Sequence, residues 1–302
     1  MQGEAEPDRP FRSGFAGIIG RPNVGKSTLL NNLMHRKVAI ISEKPQTTRN
    51  RIRCVLTRED AQVVFIDTPG FHKPRNALGE RLNKAVRETL SEVDVIVFML
   101  DGTQTIGKGD LFIAGELEEL DTPVVAVLNK IDRLNGDQVE AQLSVAEKLG
   151  KFRNVIPLSA KTGENVHALI ERIVELLPEG PKYYPDDMVT DQPASFIVAE
   201  IIREKVLQLT REEVPHSVAV VVEEMGKREE GDLVDIEAVI YVERESQKGI
   251  IIGKGGRMLK EIGTRSRQEI EPLLGERVFL RLQVKVEKDW SKQPQLVRRM
   301  GY

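Results

Sequence analysis

Apolar residues in the first half of the chain are concentrated in short segments, at residues 15–19, 62–66, 122–128 and 154–158. Runs of this length that are rich in Val and Ile are typical of parallel strands buried on both faces. A helix is predicted over residues 27–36, directly after the first run, and strands then alternate with helices. The pattern predicts an α/β domain built on a doubly wound parallel sheet.

The second half has a different pattern, which predicts a smaller α+β domain. Helices are predicted over residues 194–209 and 256–274, the latter with a break near Gly263. Residues 217–223 and 232–242 are predicted to form an antiparallel pair of strands. Residues 278–287 alternate apolar and polar positions like a half-buried strand.

A passage rich in proline and acidic residues separates the two patterns at residues 178–187. Such composition is typical of a linker. We therefore predict a disordered extension over residues 1–12, the α/β domain over 13–180, a linker over 181–193, and the second domain with a C-terminal tail over 194–302.

Composition narrows the functional class. The net charge is −3, yet residues 246–302 carry 13 Lys and Arg against 6 Asp and Glu, which leaves about −10 for the remainder. A basic C-terminal region favours contact with a polyanion, although a solvated basic face would have the same charge. The acidic N-terminus does not resemble a secretory signal, and Cys54 is the only cysteine. We expect a cytoplasmic protein without an intrachain disulfide.

Residues 20–27 read G-R-P-N-V-G-K-S, which matches the phosphate-binding loop pattern G-x-x-x-x-G-K-[ST] between a strand and a helix. The backbone N–H groups of such a loop bind phosphate oxygens. Lys26 would reach the β- and γ-phosphates, and the Ser27 hydroxyl would ligate Mg²⁺. The predicted nucleotide contacts in this loop are Asn23, Val24, Gly25, Lys26, Ser27 and Thr28.

A second motif, N-K-I-D at residues 129–132, follows a predicted strand and selects the base. The Asp132 carboxylate can accept two hydrogen bonds from the ring N–H and the exocyclic amine of guanine, a donor pair that adenine lacks on that edge. Asn129 would brace the neighbouring loops, and the Lys130 stem would cover the base. Backbone groups of Ser159, Ala160 and Lys161 would support the base.

Two further segments complete the predicted catalytic and metal sites. In D-T-P-G at residues 67–70, Asp67 would hold Mg²⁺ through a water and the Gly70 N–H would face the γ-phosphate. In P-Q-T-T-R at residues 45–49, Thr48 would close over Mg²⁺ and the γ-phosphate. The predicted catalytic residues are Lys26, Asn23, Thr48 and Gly70, and the predicted metal ligands are Ser27, Thr48 and Asp67.

The C-terminal domain contains G-x-x-G at residues 253–256, after three isoleucines and before a basic helix. KH domains clamp about four nucleotides by their backbone with such a loop. A tight turn alone would also produce this motif, but its context favours a KH domain. We predict RNA contacts from Ile251, Ile252, Gly253, Lys254, Gly255, Gly256, Arg257 and Lys260, with Ile250, Ile251 and Ile252 forming an apolar groove.

Together these motifs make the chain resemble the Era family of bacterial GTPases, within the translation-factor-related GTPases, from about residue 13 to residue 302. The resemblance implies a P-loop GTPase domain followed by a type II KH domain, with GTP or GDP and Mg²⁺ bound. It implies binding to the 3′ end of small-subunit (16S) rRNA and assistance in 30S subunit assembly. It also suggests peripheral contact with the inner face of the cell membrane. We expect a monomer with no small-molecule substrate other than GTP.

Hydrolysis is predicted to be slow without assistance. Ras-type GTPases place a water-orienting Gln after the D-x-x-G glycine, and Phe71 stands there in this chain. The expected intrinsic rate is on the order of 10⁻⁴ to 10⁻² s⁻¹. Related GTPases with an apolar residue there and an Asn at the position of Asn23 use K⁺, which suggests K⁺-stimulated hydrolysis here. A turn-forming role for Asn23 is the alternative.

Three functional hypotheses follow from the two sites. In the first, GTP orders the loops at residues 45–49 and 71–74, and hydrolysis releases them, so that nucleotide gates RNA binding. In the second, the protein is a constitutive RNA-binding module that uses nucleotide only structurally. A tRNA-modifying GTPase, the third, would need a further catalytic domain for which this chain has no room.

Overall fold

The computed structural model describes residues 10–41, 52–67, 86, 88–210, 214, 217–228 and 232–300. These residues form two compact units. The first comprises residues 10–36 and 52–191, and the second comprises residues 37–41 and 192–300. Among the helices in these ranges, none is long and apolar enough to cross a membrane.

The first unit is built on a six-stranded sheet. Its strands are β1 (Arg12–Gly20), β2 (Ile52–Thr57), β3 (Ala61–Asp67), β4 (Val95–Asp101), β5 (Val124–Asn129) and β6 (Asn154–Leu158). The order is β2-β3-β1-β4-β5-β6, and β2 alone runs antiparallel to its neighbour. Every residue of β3, β4 and β5 is buried, which explains their continuous apolar runs. The predicted doubly wound sheet is confirmed.

Strand order reverses at β1, which pairs with β3 on one side and β4 on the other. Ligands of open α/β sheets bind at the carboxyl ends of the strands beside such a reversal. The phosphate-binding loop leaves β1 at this point. The fold therefore places the predicted nucleotide motifs along one edge of the sheet.

Four helices with full bounds accompany this sheet among the described residues: α1 (Lys26–Leu33), α2 (Lys108–Glu118), α3 (Gly136–Ala146) and α4 (Val166–Leu176). The first, α1, ends three residues before the predicted position at residue 36. Its continuation is blocked because His35 has a φ of 50°, in the left-handed region.

Both ends of the first unit differ from the predicted boundaries. The sequence predicts a disordered extension over residues 1–12, but β1 begins at Arg12. The Phe11 carbonyl also accepts a hydrogen bond from the Gly180 N–H at 3.1 Å, so residue 11 is bound to the first unit. The predicted linker is bound to the same unit. The Gln62 side-chain oxygen accepts from the N–H groups of Tyr183 and Tyr184, at 2.7 and 3.0 Å. Residues 1–9 lie outside the described ranges.

The linker also covers the edge strand β2. The Val55 N–H donates to the Val189 carbonyl at 2.9 Å, and the Thr190 hydroxyl donates to the Arg53 carbonyl at 2.8 Å. Covering an edge in this way blocks pairing with another chain. Cys54 lies within β2 with none of its surface exposed, and burial raises the pKa of its thiol well above the usual range. A buried thiol with a raised pKa is unreactive, so Cys54 has a structural role.

The second unit combines a three-stranded sheet with helices. Its elements are α5 (Ala194–Leu209), β7 (Ala219–Lys227), β8 (Leu233–Val242), α6 (Glu245–Ile252), α7 (Arg257–Leu274), β9 (Arg277–Val286) and α8 (Pro294–Arg299). The strands β7 and β8 are antiparallel as predicted, and β8 and β9 are parallel. The helices α6 and α7 form the crossover that a parallel pair requires.

The predicted break in α7 near Gly263 is wrong, because the helix is continuous from Arg257 to Leu274. A glycine inside a helix costs only about 1 kcal/mol relative to alanine. Burial of Ile262, Ser266 and Ile270 along one face of α7 holds the helix through this position.

The C-terminal tail packs onto the second unit. Trp290 is 3% exposed, and its indole N–H donates to the Ser217 carbonyl at 2.9 Å. It clusters with Tyr241 and Met300. Tyr302 lies outside the described residues.

Residues 37–41 belong to the second unit through an ionic cluster. Lys37 and Lys205 each pair with both Glu204 and Glu269. The Ile41 N–H donates to Glu204 Oε1 at 2.8 Å. Glu204 and Lys205 are buried, so removing either of them leaves the other charge uncompensated, and the cluster fixes the attachment of this segment.

Candidate functional site

Two positions in the phosphate-binding loop require glycine, because neighbouring atoms leave no room for a Cβ. A Cβ on Gly20 would lie 2.5 Å from the Met99 carbonyl oxygen, and one on Gly25 would lie 2.2 Å from Asn129 Nδ2. Gly25 also has a φ of 109°, and Asn23 has a φ of 66° in the left-handed region. Asn tolerates this region better than most residues, which supports the turn-forming role considered above.

Lys26 begins α1 and lies inside the loop with 6% of its surface exposed. Its ammonium donates to the Gly20 and Arg21 carbonyls, both at 3.2 Å. Burial lowers the pKa of Lys26, and the nearby Asp67 carboxylate opposes that shift. A partly desolvated ammonium interacts strongly with phosphate because little water screens it.

Asn129 ends β5 and connects three of the predicted motifs. Its side-chain nitrogen donates to the Val24 carbonyl at 2.7 Å, and its side-chain oxygen accepts from the Ala160 N–H at 2.9 Å. The residue is 2% exposed. The phosphate-binding loop, N-K-I-D and S-A-K are therefore held in one fixed arrangement by a single buried amide.

Ser159 orients the predicted base-reading carboxylate. Its hydroxyl donates to Asp132 Oδ1 at 2.7 Å and accepts from the Thr162 N–H at 3.1 Å. Ser159 is fully buried, whereas Asp132 is exposed. The Ser159 hydroxyl fixes the orientation of the Asp132 carboxylate while leaving it exposed. An exposed carboxylate in a fixed orientation can accept a pair of hydrogen bonds from guanine. Lys161 is also exposed at the end of this motif.

Sequence reasoning missed Asp101, which ends β4 beside the phosphate-binding loop. Lys130 has a φ of 70°, donates to the Asn23 carbonyl at 2.9 Å and pairs with Asp101 at 2.5 Å. Burial alone would raise the pKa of Asp101, but hydrogen bonds from Lys130 and Thr103 outweigh it and lower the pKa. Its position at the carboxyl end of a central strand was the available signal.

A second missed pair fixes the outer part of the loop. The Arg21 Nε atom lies 2.9 Å from Asp110 Oδ1, and Asp110 is 1% exposed. Asp110 Oδ2 also accepts from the Gly107 N–H at 3.0 Å, at the start of α2. The pair ties the phosphate-binding loop to that helix.

The donor set fits Mg²⁺. Asp67 ends β3 and is fully buried, and Ser27 is the second residue of α1. Within the described ranges, no three His, Cys, Asp or Glu side chains converge on a metal position. Mg²⁺ typically takes one or two carboxylates together with substrate phosphates and water, which matches this sparse set. The predicted residues Thr48 and Gly70 lie outside the described residues, as does Phe71.

The G-x-x-G loop joins α6 to α7 and depends on its glycines in two ways. Gly253 has φ 69° and ψ 171°, and a Cβ there would lie 2.7 Å from the Met258 Cβ. Gly255 and Gly256 have φ values of 64° and 76° but face open space. Lys254 in the loop, and Arg257 and Lys260 in the first turn of α7, are exposed to solvent.

The predicted isoleucine groove is wrong for Ile251. The three isoleucines lie on the helix α6, where successive side chains point about 100° apart, so they cannot line one surface. Ile251 is fully buried in the core, whereas Ile250 is 50% exposed. Ile252 is partly buried against the same core.

A groove of about 520 Å³ lies instead between α7 and β9, and it begins at the G-x-x-G loop. Its floor is apolar and its rim is basic. Its lining includes Gly256, Leu259, Lys260, Arg267, Phe279 and Leu282.

Comparisons with known proteins cover both units. A family described as 50S ribosome-binding GTPase matches residues 15–130, and the KH domain family matches residues 213–291. GTPase Era of Alkaliphilus oremlandii (strain OhILAs) is 53% identical over 97% of this chain and 99% of its own length. GTPase Era of Alkaliphilus metalliredigens (strain QYMF) is 52% identical over the same shares.

Two solved structures are also similar at 43% sequence identity, and each alignment covers 97% of this chain and 99% of the solved chain. One is a variant of Aquifex aeolicus Era bound to GDP·AlF4⁻, with a TM-score of 0.92. The other is Era in complex with MgGDPNP and nucleotides 1506–1542 of 16S ribosomal RNA, with a TM-score of 0.93.

Proposed function

This chain belongs to the Era family of GTPases, and we propose that it is a GTP-gated switch that binds the 3′ end of small-subunit rRNA and assists 30S subunit assembly. One observation carries the RNA half of the proposal. The open G-x-x-G loop leads into a groove with an apolar floor and a basic rim. The related Era structure that holds MgGDPNP and rRNA nucleotides supports the same assignment.

Different residues of the nucleotide site recognise the base, position the loops and stabilise the charge that develops during GTP hydrolysis. Asp132 reads guanine, Asn129 holds the loops in register, and Lys26 stabilises the negative charge that develops on the phosphate oxygens. When bound, Mg²⁺ neutralises charge on the β- and γ-phosphates, and Ser27, Asp67 and Thr48 would hold it.

Gating requires that GTP and RNA each favour the same state of the protein. The loops at residues 45–49 and 71–74 are the proposed nucleotide sensors, and both lie outside the described residues. Because coupling is reciprocal, RNA must tighten GTP binding by the factor by which GTP tightens RNA binding.

Anisotropy of a labelled oligonucleotide from the 3′ end of 16S rRNA tests this function. We expect binding about 5- to 150-fold tighter with a non-hydrolysable GTP analogue than with GDP, the usual range of such coupling. Equal affinity in the two states would favour the constitutive RNA-binding module. Absence of binding in both states would refute the proposed RNA target.

We also propose K⁺-stimulated hydrolysis with the Asn23 side chain as a K⁺ ligand. Turnover is expected to be at least about tenfold faster in KCl than in NaCl at equal ionic strength, because K⁺ would supply charge that an arginine finger supplies elsewhere. Asn23→Gly is the matched variant, since glycine adopts the φ of 66° without a side-chain oxygen. The variant should lose the stimulation. Equal wild-type rates in the two salts would exclude this role.

Gly255→Asp is expected to weaken RNA binding about tenfold or more, because it places a negative charge where the RNA backbone passes. Gly255 faces open space at φ 64°, a conformation that Asp and Asn tolerate. Gly255→Asn is the neutral control and should retain most of the affinity. GTP hydrolysis without RNA should be unchanged in both variants. The same change at Gly253 would collide with Met258 and test folding instead.

The proposed setting is the cytoplasm, with the protein acting as a monomer. RNA is the proposed polyanion for the basic residues 246–302. Peripheral contact with the inner membrane face would use the same basic region, and vesicles of anionic lipid would compete with RNA if it occurs.

A further inference from the structure

We propose that Asp101 is a positioning residue for guanine nucleotide binding, which acts by holding the Lys130 side chain extended beside the place of the base. Asp101 ends β4, and Lys130 directly follows β5, so both lie at the nucleotide edge of the sheet. This inference rests on the nucleotide-binding half of the proposed function and adds to it a residue outside the sequence motifs.

The pairing of β4 with β5 brings the two residues together. Asp101 is opposite Asn129 in the register, and the Gly102 N–H donates to the Asn129 carbonyl at 2.9 Å. Lys130 has a φ of 70°, in the left-handed region that residues with a Cβ avoid. The contacts of its side chain therefore stabilise a backbone conformation that the residue does not prefer by itself.

Two acceptors hold the Lys130 ammonium. It donates to the Asn23 carbonyl at 2.9 Å and to Asp101 Oδ2 at 2.5 Å. The Lys130 side chain is 24% exposed, whereas that of Asp101 is 1% exposed. The methylene stem is thus stretched from the N-K-I-D motif to the phosphate-binding loop. A stem that is already fixed loses less entropy when a base packs against it.

Further donors fix the Asp101 carboxylate. Its Oδ1 accepts from the Thr103 N–H at 3.0 Å and from the Thr103 hydroxyl at 2.6 Å, and its Oδ2 also accepts from the Gln104 side chain at 3.1 Å. Burial raises the pKa of Asp101, but these hydrogen bonds and the one from Lys130 outweigh it, so the carboxylate stays charged. A charge-assisted bond is stronger than a neutral one, which makes Asp101 the main anchor of Lys130.

The anchored side chain serves the part of the nucleotide that GTP and GDP share. Lys130 belongs to the base-recognition motif, whereas Lys26 is placed for the phosphates. Loosening Lys130 should therefore weaken GTP and GDP by the same factor and leave the chemical step unchanged. Because the expected turnover is slow, KM for GTP equals its dissociation constant, and the loss should appear in KM rather than in kcat.

Asp101→Asn tests this role, because asparagine keeps the shape of the side chain and removes its charge. We expect the dissociation constants of GTP and GDP to rise equally, by about tenfold or more, with kcat at saturating GTP unchanged. Asp94→Asn is the matched control. It makes the same change directly before β4, where Asp94 Oδ2 accepts from the Phe15 N–H at 2.7 Å, and should bind both nucleotides as wild type does. Competition with a fluorescent GDP analogue measures the affinities.

A double-mutant cycle with Lys130→Met separates positioning through Lys130 from a purely structural role. Methionine keeps most of the stem but cannot pair with Asp101. In that background, Asp101→Asn should change nucleotide affinity by less than about twofold. An equal loss in both backgrounds would overturn the inference, as would wild-type affinity of Asp101→Asn or a fall in kcat at unchanged KM.

Thermal unfolding without nucleotide checks that each variant folds. If Asp101→Asn does not fold, Asp101→Ser, which is smaller and neutral, takes its place in the same measurements with the same outcomes. If wild type and Asp94→Asn bind guanine nucleotides as tightly as Asp101→Asn does, only the positioning role is refuted. If wild type binds neither GTP nor GDP, the proposed function itself falls.

Discussion

Asp132→Asn is expected to lower the affinity for GTP by about 10²- to 10⁴-fold and to shift the preference toward xanthosine triphosphate. The carboxylate would accept two charge-assisted hydrogen bonds from guanine, each contributing about 1.5–3 kcal/mol. An amide can offer one acceptor and one donor group, so its N–H would oppose the guanine amine. Xanthine carries an oxygen in place of that amine and restores a complementary pair.

The structure allows this change without loss of the local fold. Asp132 is exposed, and an Asn oxygen can still accept the 2.7 Å hydrogen bond from the Ser159 hydroxyl. Asp137→Asn, an identical change at an exposed carboxylate in the first turn of α3, is the matched control. Competition of GTP and xanthosine triphosphate for a fluorescent nucleotide measures the preference. A variant that still prefers GTP would show that Asp132 does not read the base.

Lys26→Met is expected to reduce nucleotide affinity by about 10³-fold or more and to abolish measurable hydrolysis. The substitution removes the one charge that begins α1 inside the phosphate-binding loop, at 6% exposure, where charge interactions are weakly screened. The methionine stem conserves much of the side-chain volume, so the loop keeps its packing.

Thermal unfolding with and without GTP separates this loss of binding from misfolding. At a GTP concentration 100 times the dissociation constant, the wild type should be stabilised by about 2.7 kcal/mol, and the variant should show no shift. Lys148→Met, at an exposed lysine after α3, should behave as wild type. A full nucleotide-dependent shift in Lys26→Met would mean that another group supplies the phosphate charge.

Most of the predicted nucleotide-site residues come from local motifs, because each motif is short and lies at the end of a strand. Asn129, Lys26, Ser159 and Asp132 are predicted as site residues from the chain alone, and the structure brings the loops that hold them together. Asp101 could not be assigned, since its role arises from the pairing of β4 with β5, which sets Asp101 beside Asn129. No local pattern encodes that neighbour.

The RNA region illustrates a different limit. The G-x-x-G loop could be identified from the sequence. A run of three isoleucines, however, is compatible both with a strand and with part of a helix. Once the run lies on α6, its side chains diverge and Ile251 enters the core. The groove is made by α7 and β9, whose contributing residues are separated along the chain.

Sequence alone determined the two domain types, the order of their main elements and the chemistry of guanine nucleotide binding, because periodicity and short motifs act over a few residues. Tertiary structure decided the pairs Lys130–Asp101 and Arg21–Asp110, the docking of the linker on β2, and the attachment of residues 37–41 to the second unit. Each joins residues that lie far apart along the chain or on different elements. Such contacts form only when burial of the cores brings those elements together.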